Sequence, residues 1–147
     1  MKKYRKMPSV GSVMTPFPYF VDADDPVEKV EKLMQQHDIR HIPVQKDGRV
    51  VGIVAARDMQ HRTDRSAPAS KKSSLSAREV MTVDPYSVSF STPLDEVVSE
   101  MRKRHIGSAI VVRNGKLAGI LSVMDVCSIL AEILRSEFLS KSGGDAA

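Results

Sequence analysis

The sequence predicts an α+β fold made of two β-α-β-β-α units packed about a pseudo-twofold axis. Three observations predict it. The chain falls on itself without a gap when shifted by 67 residues. Each copy contains an apolar hairpin closed by Asp-Gly or Asn-Gly. Each hairpin is flanked by stretches whose apolar residues recur at helical spacing.

The repeat is read residue by residue. Ser9 meets Ser76, Val13-Met14-Thr15 meets Val80-Met81-Thr82, and Pro18-Tyr19 meets Pro85-Tyr86. Val21, Pro26, Val30 and Met34 meet Val88, Pro93, Val97 and Met101. Ile39, Val44, Gly48, Gly52, Ile53 and Asp58 meet Ile106, Val111, Gly115, Gly119, Ile120 and Asp125. These are 16 identities over residues 9–59, where average composition gives roughly three. Duplication explains them. The first unit is expected over residues 8–65, a linker over 66–75, and the second unit over 76–140. Residues 1–7 and 141–147 are expected as flexible tails.

Each unit opens on Val-Met-Thr and a short strand. A helix follows: Asp25-Pro26-Val27-Glu28 reads as an N-cap, a proline at the first helical position and a capping-box glutamate. Thr92-Pro93-Leu94-Asp95 repeats the pattern. Val27, Val30 and Met34, and Leu94, Val97, Val98 and Met101, make one buried face in each helix. The hairpin strands, Ile42–Val44 with Val50–Val54 and Ala109–Val112 with Leu117–Leu121, are nearly continuous apolar runs, so both sheet faces are expected to be covered. Asp47-Gly48 and Asn114-Gly115 suit the positive φ angles of a tight hairpin turn. Pro43 predicts an edge strand or a bulge.

After the second hairpin, Val126, Ile129, Leu130, Ile133 and Leu134 form a broad apolar stripe, in a helix running to about Leu139. Gly143-Gly144 ends it. The first copy's counterpart is shorter and more polar, to about Arg65. Ser66 to Ser74 reads as a linker, and Ser76-Ala77-Arg78-Glu79 as a capping box. One three-stranded sheet with two helices leaves an apolar sheet face bare. Two units bury those faces against each other and leave clefts between them, where small ligands bind.

Composition narrows the function classes. The chain has 147 residues, no Trp and one cysteine. Val, Ile, Leu and Met must fill the core, with the 8 Met residues as adaptable packing. Cys127 lies in an apolar run and reads as a small buried hydrophobe. One cysteine excludes an internal disulfide and a cysteine-based zinc site. No stretch approaches the ~18 apolar residues of a membrane span, and no apolar region follows the basic N-terminus. A cytoplasmic location is expected. The net charge of +4 concentrates in Lys2, Lys3, Arg5 and Lys6 and in Lys71, Lys72 and Arg78, a pattern of solvated peripheral segments rather than a nucleic-acid surface. His37 and His41 stand four apart without a third ligand, so no metal site is expected. There is no P-loop, no nucleophile elbow and no Rossmann fingerprint. An enzyme is not expected.

The Val-Met-Thr segments, the Asp-Gly and Asn-Gly hairpins, and the runs Gly52-Ile53-Val54-Ala55-Ala56-Arg57-Asp58 and Gly119-Ile120-Leu121-Ser122-Val123-Met124-Asp125 resemble a tandem pair of CBS domains. The resemblance covers about residues 8–135. It implies a sensor module that binds AMP, ADP or ATP, or alternatively S-adenosylmethionine or NAD(H), regulates a protein partner and forms a homodimer. It also implies roles: Asp125 accepts from both ribose hydroxyls, Ser122 donates to a phosphate, and Arg40 and His41 face the cleft from the other unit. The chemistry is sound. A carboxylate takes two donors at once, and a hydroxyl at a helix start suits an anion.

The first unit departs from the pattern. Ala55 removes the hydroxyl, although Arg57 supplies charge beside Asp58, and the opposing Gly107 and Ser108 offer little to a phosphate. The Asp125 site therefore ranks above the Asp58 site, and one nucleotide per chain is expected. Asp58 and Asp125 are also placed to cap the helices that follow them. That role, in a dimerisation module with empty clefts, stands as the alternative.

Overall fold

The computed structural model describes residues 6–63 and 75–139, with backbone alone for 60–63. Residues 66–74 of the linker expected over 66–75, the end of the first unit's last helix at Arg65, the Gly143-Gly144 stop and most of both tails lie outside the described residues. The first copy runs α1 (Val10–Val13), β1 (Thr15–Pro16), β2 (Val21–Asp22), α2 (Val27–His37), β3 (His41–Lys46), β4 (Arg49–Ala55) and α3 (Ala56–Thr63). The second runs α4 (Ala77–Val80), β5 (Thr82–Val83), β6 (Ser87–Ser89), α5 (Leu94–Arg104), β7 (Ser108–Arg113), β8 (Lys116–Ser122) and α6 (Val123–Leu134). A π-helical turn, Arg135–Leu139, extends α6.

The two copies trade their leading segments. One sheet has the order β2-β3-β4-β5 and the other β1-β8-β7-β6. Thr15 and Pro16 pair antiparallel with Ile120 and Gly119 of the second copy. Thr82 and Val83 pair with Ile53 and Gly52 of the first. The expected three-stranded sheet is thus a four-stranded one, completed by a strand from the other copy. The cores follow suit. Ala77 and Val80 belong to the first core, with Val27, Val30, Ile42 and Val54. Val10 belongs to the second, with Val97, Ala109, Val111 and Leu121. Each fully buried Val of this kind contributes about 1.5–3 kcal/mol.

This exchange explains the repeated glycine in the middle of each hairpin's second strand. A Cβ on Gly119 would strike Met14 Sδ and lie 2.8 Å from the Thr15 carbonyl oxygen. One on Gly52 would strike Met81 Sδ and lie 2.9 Å from that of Thr82. The Val-Met-Thr segment and the glycine are two sides of one close approach.

The exchange also corrects the expected helix caps. Pro26 and Pro93 are the N-cap residues of α2 and α5, and neither helix has a side-chain cap. The Asp25 carboxylate instead accepts from the Asp22 backbone N–H (2.8 Å) and Lys29 Nζ (3.0 Å). The open helix ends are satisfied by backbone from the exchanged segments: Val27 N–H donates to the Leu75 carbonyl and Leu94 N–H to that of Pro8, both at 2.9 Å. The capping box Ser76–Glu79 is formed.

The hairpins turn at Asp47-Gly48 and Asn114-Gly115, all four residues at positive φ. Strand β7 is buried over four consecutive residues, so both its faces are covered. Pro43 is not on an edge, because β3 lies between β2 and β4. The register shift falls one step on, at Val44/Gln45, and recurs at Val111/Val112 without a proline. Ile110, the counterpart of Pro43, donates its N–H to the Tyr86 carbonyl at 2.9 Å. Proline has no such donor, and β2 starts one position later than β6 there.

On α6, Val126 and Ile129 pack against the second core. Leu130 and Leu134 stay 52% and 46% exposed. Cys127, expected to be buried, is exposed; the helix turns it away from the sheet.

Candidate functional site

Strand β8 ends at Ser122 and α6 begins at Val123, so a strand end, a helix start and the exchanged β1 converge. Ser122 is the N-cap of α6, in extended backbone. Its N–H donates to Asp125 Oδ2 at 2.9 Å, its hydroxyl donates to the same oxygen at 3.1 Å, and the Asp125 N–H donates back to Ser122 Oγ at 3.2 Å. This reciprocal box, about 1 kcal/mol for its cap, is the helix-capping role expected of Asp125. From β1, Thr15 Oγ1 donates to Asp125 Oδ1 at 3.1 Å. Asp125 therefore ties the second copy's helix to the first copy's leading segment.

The donor count limits what this carboxylate does next. Its two oxygens offer about four acceptor positions, and three are filled. A ribose diol has one position open on Oδ1 and gains a second if Thr15, exposed to water, rotates away. Ser122 has one hydroxyl proton, and it is committed to Asp125. Donation to a phosphate requires that bond to break.

The first copy is built differently at the equivalent place. Ala55 offers no cap, and the described residues show no Thr82 counterpart of the Thr15–Asp125 bond. Asp58, half-buried in the first turn of α3, lies close enough to His41 to act on its charge. Burial holds the His41 imidazole below the ordinary histidine range; Asp58 opposes this, and the Arg57 and Arg40 guanidinium groups add to it. Arg40 and Arg57 are exposed.

His41 also reaches across. A Cβ on Gly107 would lie 3.0 Å from His41 Nε2, so that glycine admits the ring. The Gly107 carbonyl accepts from the Val123 N–H at 3.0 Å, and the Arg40 carbonyl from the Ala56 N–H at 2.8 Å. The sequence-expected residues thus form two groups. Arg40, His41, Arg57 and Asp58 gather on the first copy. Ser122 and Asp125 gather on the second with Thr15, which sequence reasoning missed as a site residue. The repetition of Thr15 as Thr82 was the available signal. His41 joins the groups through Gly107, one hydrogen bond from the α6 N-terminus. Among the described residues no group of three His, Cys, Asp or Glu side chains is spaced to hold a metal ion, and no helix is long and apolar enough to cross a membrane.

Two copies of one mixed unit, sharing strands and meeting at paired strand-to-helix corners, define a tandem repeat module. The family model "CBS domain" matches residues 10–62 and 77–132, and the chain belongs to the CBS domain family. It is similar to the putative acetoin utilization protein AcuB from Vibrio cholerae, with TM-score 0.79 and 29% identity, over 90% of this chain and 98% of that one. It is also similar to the structure of CBSX2 in complex with AMP, with TM-score 0.72 and 26% identity, over 86% of this chain and 98% of that one. An inosine-5'-monophosphate dehydrogenase from Staphylococcus epidermidis is 29% identical over 117 residues, 77% of this chain and 22% of the relative. The chain spans about a fifth of the length of such curated relatives.

Proposed function

We propose that this chain is a non-catalytic regulatory module that binds an adenine nucleotide (AMP, ADP or ATP) between its two CBS units, with the ribose on Asp125. The observation that carries the reading is the Asp125 carboxylate, held at the junction of the two copies by Ser122 and Thr15, with room for one further donor and a second on exchange with Thr15. The similarity to an AMP-bound CBS protein supports the ligand class. Arg40 and Arg57 supply the positive charge a phosphate needs, and the His41 imidazole, held neutral by burial, offers a ring N–H beside them toward the second copy.

Ligand binding to the native state raises its stability by mass action, by about 2.7 kcal/mol at a hundredfold excess over Kd. For a chain of this size that is a rise of about 5–10 °C in Tm. Thermal unfolding is measured with AMP, ADP, ATP and S-adenosylmethionine in turn. A rise with an adenylate that Asp125→Ala abolishes supports the reading. A rise that survives Asp125→Ala overturns the ribose assignment.

A second reading has its own observation. The Ser122–Asp125 box is complete without any ligand, as in a purely structural interaction module. That reading expects no adenylate to move Tm, while Asp125→Ala still lowers it.

A further inference from the structure

Each leading segment docks on the other copy through the same backbone contacts. The Val10 N–H donates to the Thr92 carbonyl and the Ala77 N–H to that of Asp25, both at 2.8 Å. The Gly11 N–H donates to the Phe90 carbonyl and the Arg78 N–H to that of Ala23, both at 3.0 Å. Shifted by 67 residues, Gly11 becomes Arg78 and Ala23 becomes Phe90. The two docks thus share one backbone geometry and carry opposite side-chain pairs. α1 brings a residue without a side chain to a large ring. α4 brings a long side chain to a small one.

The fit at each dock is tight. A Cβ on Gly11 would strike the Phe90 ring at Cγ, Cδ2 and Cε2. Spinning the ring about its own axis does not move Cγ, so only swinging the whole side chain away relieves the overlap. Phe90 packs against the second core, and the Arg113 guanidinium stands 5.0 Å from its ring centroid. At the other dock Ala23 is buried in the first core and leaves room beside Arg78. Arg78 Nη1 reaches Asp24 Oδ1 at 3.0 Å, and Asp24 also pairs with Lys46. The second copy has Ser91 and Arg113 at the positions of Asp24 and Lys46.

Uncrossed pairing would set each leading segment against a body of its own kind. Arg78 would then meet Phe90, its Cβ inside the ring, with Ser91 and Arg113 where it now has a carboxylate. Gly11 would meet Ala23, leaving a gap over a buried core position and depriving Asp24 of its arginine. One mismatch fails by overlap and the other by a void. Discrimination of this kind uses misfit to the wrong partner as much as fit to the right one.

We infer that Gly11 with Phe90, and Arg78 with Ala23 and Asp24, form a two-part recognition code by which each copy accepts only the other copy's leading segment. Like-with-like docking, in which both copies would use the same surface for the same segment, is closed to this chain. The code acts through the docks alone and does not depend on a nucleotide.

The full chain can be made to display each uncrossed contact, read by thermal unfolding in the far ultraviolet. Gly11→Arg sets an arginine against Phe90 and is expected to lower Tm by about 5–10 °C or more. Arg78→Gly sets a glycine against Ala23 and is expected to lower it by about 2–5 °C. Transplanting a whole dock is expected to restore the fit. Gly11→Arg/Phe90→Ala/Ser91→Asp regains at least half of the Tm lost by Gly11→Arg. Ala23→Phe/Arg78→Gly regains at least half of that lost by Ala23→Phe. Where Gly11→Arg does not fold, the return of a cooperative transition in the triple variant is the readout. Gly11→Ala, the smallest collision, gives a second measure: its lowered Tm is expected to recover in Gly11→Ala/Phe90→Ala. Transplants that melt no higher than the single variants overturn the code. So does Gly11→Arg melting within about 2 °C of the wild type, a shift smaller than one overpacked methylene group gives.

Discussion

Ser122 and Ala55 stand at the same point of the same strand in two copies of one unit. After Ser122 the chain turns into a helix through a closed box of hydrogen bonds, and a threonine from the other copy completes it. After Ala55 it makes the same turn without a capping hydroxyl, and the first-turn aspartate acts on a half-buried histidine flanked by two arginines. Ser122 in place of Ala55, with Gly107 and Met124 in place of Arg40 and Arg57, thus separates a corner that organises a carboxylate from one that concentrates positive charge. A duplicated fold specialises this way: the backbone stays fixed, and the two corners diverge in which charge they present.

The largest expected effect breaks the symmetry outright. Asp125→Ala removes the carboxylate proposed to accept from two ribose hydroxyls, each hydrogen bond to a charged group contributing about 1.5–3 kcal/mol. Titration calorimetry is expected to show adenylate affinity falling by about 10²–10⁴-fold. Asp58→Ala is expected to change it by less than about tenfold. Equal losses would mean that the two corners share the work.

Ala55→Ser sharpens the comparison from the other side. It gives the first copy the missing cap, and thermal unfolding is expected to show stabilisation of about 0.5–2 kcal/mol. Ser122→Ala is expected to lose a similar amount. If the corner then matches its counterpart, nucleotide stoichiometry rises above one per chain.

A third difference is pH. Burial, as the largest cause, sets the folded His41 pKa below that of the unfolded chain, about 6.5. Between those two values the unfolded chain holds the proton and the native chain does not. This contribution is therefore complete above about pH 6.5 and is lost as pH falls toward the folded pKa, at no more than about 1.4 kcal/mol per pH unit. His41→Gln is expected to flatten that part of the stability profile, measured by denaturant unfolding from pH 7.5 to 5. A profile identical to the wild type removes His41 as the cause.

The smallest effect concerns Thr15. Thr15→Val removes one donor to Asp125 and is expected to cost about 0.5–1.5 kcal/mol of stability. It also frees Oδ1, so adenylate affinity is expected to hold or to rise slightly. A loss of affinity would instead make Thr15 a ligand contact.

What was legible in the sequence follows from the range of the forces involved. Hairpin turns are local, so Asp47-Gly48 and Asn114-Gly115 announced themselves, as did the apolar face of α2 at Val27, Val30 and Met34. The doubled motif made the family and its second-copy Ser122/Asp125 corner readable as well. Strand exchange was not readable. A two-residue strand such as Thr15–Pro16 has no periodicity, and its partner lies about a hundred residues away. The missed caps at Pro26 and Pro93 have the same origin, since the groups that satisfy those helix ends are main-chain carbonyls at Leu75 and Pro8, and any residue supplies a carbonyl. Cys127 was misread because an apolar run on a helix has two sides, and only one of them meets the sheet.

The traded segments have a consequence for ancestry. A gene encoding one unit alone would specify a sheet lacking its fourth strand and a helix with a bare N-terminus. Two such chains could mend both defects only by lending each other their leading segments, as a domain-swapped pair. Fusion of the two genes would then have turned an exchange between molecules into an exchange within one. Within one fused chain, a serine at one corner and an alanine at the other can then evolve apart.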